Sequence, residues 1–158
     1  MKYLLFFIGI LLSSLSFGQK KAPKLEIFLS ESINKNAKNA YEEIKENFVH
    51  FYAIAFCFDH DGKIDTLYYS SKLNPSIKSL YHLDNSLLQE IKAENFLYKE
   101  YASQTVLIPF FHNRSPDNFI DYKCGFLINL ENLIPQAGAN KAMIVRKPVI
   151  ITYFPSIK

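Results

Sequence analysis

Residues 56–67 read FCFDHDGKIDTL, with three carboxylates, Asp59, Asp61 and Asp65, gathered around one glycine, Gly62. Such a cluster is either a cation-binding loop or the turn between two strands, and the fold follows from which it is. An EF-hand loop needs oxygen ligands at positions 1, 3, 5 and 12 with glycine at 6. With Gly62 at position 6, Asp59, Asp61 and Asp65 take positions 3, 5 and 9, but Cys57 stands at position 1 and Tyr68 at position 12. The flanks are strand-like rather than helical. Asp and Gly also form hairpin turns, glycine because it accepts positive φ at little cost. The segment therefore reads as a structural turn built on Asp59, Asp61 and Gly62, and no metal or other cofactor is expected.

Working outward, VHFYAIAFCF before the turn is a buried strand, with Ile54, Phe56 and Phe58 on one face and the small Ala53, Ala55 and Cys57 on the other. After the turn, Ile64 to Ser70 is its partner. The step of three between Ile64 and Leu67 breaks the period of two and predicts a bulge. Upstream, Ile33, Ala37, Tyr41, Ile44 and Phe48 recur at helical spacing, so a helix is expected over 30–48 with Ser30 or Ser32 as its cap. Downstream, 71–81 reads as a loop marked by Asn74-Pro75, and Asp84 caps a second helix with Leu87, Leu88 and Ile91 on its buried side. TVLIPFF, 105–111, is a third strand whose Pro109 belongs at an edge or bulge; HNRSPDN is expected as a loop. A strand around Cys124 to Ile128, a helical turn at ENLIP and a final strand alternating Val149, Ile151 and Tyr153 against Ile150, Thr152 and Phe154 complete the chain.

The chain opens MKYLLFFIGILLSSLSFGQKK: Lys2, an apolar run from Leu4 to Leu12, then small residues ending at Gly18. That is the order of a secretory signal, expected to be cleaved after Gly18, and the run is shorter than the ~20 apolar residues of a membrane span. Stable membrane insertion after cleavage is not expected, and the destination is the periplasm, the outer envelope or the extracellular space. Residues 19–29 would then be a flexible N-terminal segment and 30–158 a single domain. Losing Lys2 lowers the formal charge from +3 to +2, a balance that points to no nucleic-acid partner. Cys57 and Cys124 would meet an oxidising compartment, and the sequence leaves open whether they bridge.

The order of these pieces resembles the C-terminal domain of the TonB family over about residues 48–111. The matching parts are the strand and acidic turn Phe56-Cys57-Phe58-Asp59-His60-Asp61-Gly62-Lys63-Ile64, the strand end Leu67-Tyr68-Tyr69-Ser70-Ser71, the helix opening Leu83-Asp84, and Val106-Leu107-Ile108-Pro109-Phe110. That resemblance implies an α+β domain with a mainly antiparallel sheet and two helices on one face. The family's Tyr-Pro motif and Pro-rich spacer are missing, so energy transduction is not implied. The final strand is expected to be able to cover the sheet edge with which such domains hold a partner's strand.

No reactive constellation stands out. His50, His60, His82 and His112 have no metal-ligand spacing, and there is no nucleophile elbow, phosphate-cradling loop or Cys-x-x-Cys. The expected function is that of an exported, non-catalytic domain binding an envelope protein partner, with β-strand addition at an open edge as the mode. The alternative is a small-molecule carrier or small hydrolase with a pocket between helices and sheet.

Overall fold

The structure, a computed structural model, describes residues 21–37, 39–45, 48–115 and 142–155. Its elements are α1 (Leu25–Asn36), α2 (Ala40–Glu43), β1 (His50–Phe58), β2 (Ile64–Tyr69), α3 (Pro75–Leu80), α4 (Asn85–Ala93), a 3-10 turn (Lys99–Tyr101), β3 (Thr105–Arg114), β4 (Met143–Val145) and β5 (Val149–Tyr153). The sheet runs β2-β1-β3, with β4 and β5 both on the far side of β3. The β1–β2 and β1–β3 pairs are antiparallel, whereas β4 and β5 run parallel to β3. This is a two-layer α+β domain with a mostly antiparallel sheet. The expected signal at 1–18, the strand around Cys124 and the turn at ENLIP lie outside the described residues.

Pairing register sets the two faces. Ile54, Phe56 and Tyr52 of β1 stand opposite Ile108, Val106 and Phe110 of β3, and all six enter one core with Leu25, Phe28, Leu29 and Ile33 of α1 and Leu87 and Ile91 of α4. Both longer helices thus cover the same face. Phe51, Ala53, Ala55 and Cys57 point to the opposite face and are also buried. The bulge falls where the spacing places it: Phe58 pairs with Ile64 and Cys57 with Thr66, leaving Asp65 as the extra residue.

Three expectations are corrected. The first helix begins at Leu25, inside the segment expected to be flexible, and stops at Asn36, with α2 as a separate turn. Ser30 and Ser32 do not cap it; their hydroxyls donate back to the carbonyls of Ile27 and Phe28 at 2.8 and 2.9 Å. Lys24 at the N-cap offers no side-chain hydrogen bond, a loss of about 1 kcal/mol. Burying Leu25, Phe28, Leu29 and Ile33, at about 1.5–3 kcal/mol each, outweighs it. Second, the stretch expected as a loop after β2 contains α3, because Asn74-Pro75 is a cap and first turn: the Asn74 side chain accepts from the Ser76 N–H at 2.8 Å. Third, β3 extends through His112 and Asn113 to Arg114, residues expected in a loop.

Pro109 explains the break in the last strand. It sits in the middle of β3 opposite Ala53, and the β1 ladder passes it uninterrupted. On the other side, pairing steps from Leu107–Val145 to Phe110–Val149, so residues 146–148 face only Ile108 and Pro109. A proline has no N–H to give a ladder. The last strand bulges out there and rejoins as β5, with the Arg146 N–H reaching back to the Leu107 carbonyl at 2.9 Å.

Candidate functional site

The acidic turn uses its carboxylates locally. The Asp59 carboxylate accepts from the N–H groups of Asp61 and Lys63, each at 2.9 Å. The Lys63 N–H, opposed by slight burial and helped by Asp61, holds the Asp59 carboxyl below its usual range. Gly62 takes φ +85 and its carbonyl accepts from the Tyr98 N–H at 2.8 Å, while the Asp59 carbonyl accepts from Ser103 at 2.8 Å. Asp61 lies 3.5 Å from His60, and Asp65 pairs across to Lys92 of α4 at 3.7 Å. The three aspartates therefore point to different partners rather than to one centre. Among the described residues no group of His, Cys, Asp and Glu is arranged to hold a metal ion.

Cys57 is a buried free thiol with its sulfur 3.4 Å from the Thr105 hydroxyl. Cys124 lies outside the described residues. His60 and His82 are exposed, the latter at φ 50. His112 is fully buried on the helix side of the sheet, a placement its polar neighbours in the sequence did not signal. Its Nε2 lies 2.9 Å from the Tyr52 hydroxyl and its Nδ1 2.9 Å from the Tyr153 hydroxyl. The Tyr81 ring covers it at 4.0 Å between centroids, and the Tyr81 hydroxyl meets His50 Nδ1 at 3.0 Å. Burial, with a smaller push from His50, lowers the His112 pKa to about 3, and burial raises Tyr52 and Tyr153. A neutral imidazole donates through one nitrogen and accepts through the other. One tyrosine therefore gives its proton to the ring and the other takes one. With both nitrogens engaged and no solvent exposure, His112 is a tie joining β1, β3 and β5.

Among the described residues no strand pairs with the outer edge of β4 and β5. Five large apolar residues are exposed among the described residues: Ile27 at 50%, Met143 at 48%, Val145 at 66%, Ile150 at 71% and Phe154 at 69%. Four of them belong to β4, β5 or their end. The fifth, Ile27 of α1, lines one groove of about 640 Å³ with Val145, Pro148 and Val149. Arg146 fixes the walls of this groove. Its Nε donates to Glu26 of α1 at 2.7 Å and its guanidinium lies 5.8 Å from the Tyr101 ring centre. Partial burial works against the Glu26 charge, but its own backbone N–H and Arg146 hold its carboxyl below the usual range. Alternation in β5 turns Val149, Ile151 and Tyr153 to the core and Ile150 and Thr152 outward. The strand alternation is legible in the sequence, but the groove is not, because the helical spacing over 30–48 starts beyond Ile27, which lies in α1.

A second concavity lies between the acidic turn and α4, about 240 Å³, floored by Phe28, Ile64, Ile91 and Phe96 and rimmed by Asp65 and Lys92. Among the described residues no helix is long and apolar enough to cross a membrane. Comparison of the chain with protein-family models, with curated proteins and with solved structures finds no match, so the site rests on this chain's own geometry.

Proposed function

We propose that the chain is an exported, non-catalytic envelope domain that binds a protein partner by adding the partner's strand to the outer edge of β4 and β5. The observation that carries this reading is the concentration of exposed apolar side chains on that edge: Met143, Val145, Ile150 and Phe154. An edge strand offers unpaired backbone groups, and proteins ordinarily guard such edges with charge and short length. Here the outward side chains are apolar instead, which suits an edge that is meant to be covered. The outer edge of β2 is less suited, since it carries exposed Asp65 and only partly buried Thr66 to Tyr69. The motif order shared with the TonB-type domain supports a binding role of the same kind, moved from the β3 edge to the strand that covers it.

The pocket reading has less behind it. The concavity beside α4, at about 240 Å³, falls below the ~300–1,000 Å³ of ordinary small-molecule sites, and the larger ones, about 410 Å³ between α1 and α4 and about 640 Å³ beside the strand break, are surface grooves rimmed by lysines and glutamates. The test is capture of a partner from envelope extract by the mature domain, compared with an Ile150→Lys, Phe154→Lys variant of unchanged melting temperature. Binding through this edge predicts loss of the captured protein in the variant. Undiminished capture would overturn it.

A further inference from the structure

The groove beside the broken strand also carries a charge pattern that specifies its occupant. Lys24 precedes α1 and Lys147 stands in the strand break; both are exposed and both line the groove. Neither has an ion pair among the described residues, whereas the third cation of the groove, Arg146, is committed to Glu26. Glu26 is the only carboxylate of the lining and feels both Arg146 and Lys24, so three cations against one carboxylate leave the groove with net positive charge beside an apolar floor of Ile27, Val145, Pro148 and Val149.

We propose that this groove receives an extended acidic segment of the protein partner, in which carboxylates alternate with apolar residues. The inference rests on the strand-addition reading and adds the chemistry of the strand. Successive side chains of an added strand point to opposite faces of the sheet. On the helix side they enter the groove beside Ile27, Lys24 and Lys147, where carboxylates are favoured. On the other side they lie beside Met143 and Ile150, where apolar side chains cover exposed surface. A segment with lysines at the carboxylate positions would be repelled, and like-charge juxtaposition is an effective means of rejecting wrong partners.

Fluorescence anisotropy with labelled synthetic decapeptides tests this on the mature protein. One peptide alternates glutamate with valine and threonine, a second carries lysine for glutamate, and a third is the acidic peptide N-methylated at alternate residues, made in both phases. The acidic peptide should bind and weaken with added salt, and the basic one should not bind. The Lys24→Glu, Lys147→Glu variant should reverse the order, with at least about a tenfold loss for the acidic peptide. Equal binding of both peptides, binding of neither, or an unchanged preference in the variant overturns the acidic assignment. So does self-association of the protein that the same two substitutions abolish, which would make a second copy the occupant. The methylated peptides separate this from the underlying reading: strand addition predicts that one phase loses binding and the other keeps it. If both phases bind as the parent does, strand addition fails while the acidic docking stands.

Discussion

A Cβ built at position 62 would lie 2.6 Å from the Tyr98 carbonyl oxygen, and the backbone there has φ +85. Both facts exclude a branched side chain, one by contact and one by conformation. Gly62→Val should therefore cost at least about 1–3 kcal/mol, read as a lower urea midpoint with unchanged slope. A midpoint equal to wild type would mean that the turn does not hold residues 98–103. At His112 the expected effect depends on pH. The folded protein keeps the imidazole neutral down to about 3, while the unfolded chain takes a proton near the ordinary 6.5. The His112 contribution is thus fully present above pH 6.5 and falls as pH drops toward 3, by up to about 1.4 kcal/mol per unit. His50, lowered by burial, acts in the same direction. Asp59 and Asp84, whose pKa values are lowered by hydrogen bonds from Lys63 and Ser86 respectively, contribute stability that is present above their unfolded value of about 4 and is lost only as pH falls below it. Thermal melts between pH 7 and about 4.5 should show a shallower decline in His112→Phe than in wild type. Identical slopes would remove His112 from the account.

At the scale of elements, the core is a layer shared by α1, α4 and one face of the sheet. Ile91, 3% exposed, is α4's anchor in it, and Ile91→Ala should cost about 2–5 kcal/mol by chemical denaturation. A loss under about 1 kcal/mol would mean that α4 is not seated on the sheet. What the sequence showed of these elements, it showed through local rules. The Ile64–Leu67 step marked the bulge, and Asp84 marked the α4 cap, where its carboxylate accepts from the Ser86 N–H at 2.8 Å. The failures also have local causes. Ser30 and Ser32 look like caps but bond back within the helix, and Asn74-Pro75 looks like a loop but starts α3. The tail of β3 is polar in sequence, yet Tyr52 and Tyr153 supply His112 with partners only once three strands have met.

Over the whole molecule, the sheet's antiparallel half follows from neighbouring segments, whereas its last strand returns in parallel from far along the chain. No periodicity encodes that direction. The candidate site suffers most from this, since its groove joins α1 to residues 145–149 and exists only in the assembled sheet. Pro109 gives that site one more property. Because the strand beyond it is split into segments of three and five residues, the exposed edge has no long uninterrupted row of backbone groups. A strand laid along it finds regular pairing for a few residues and then meets a bulge. On the strand-addition proposal the edge would take only a short segment of a partner, and it is a poor template for stacking copies without end. A single missing hydrogen in the middle of the sheet thus works against polymerisation at its rim.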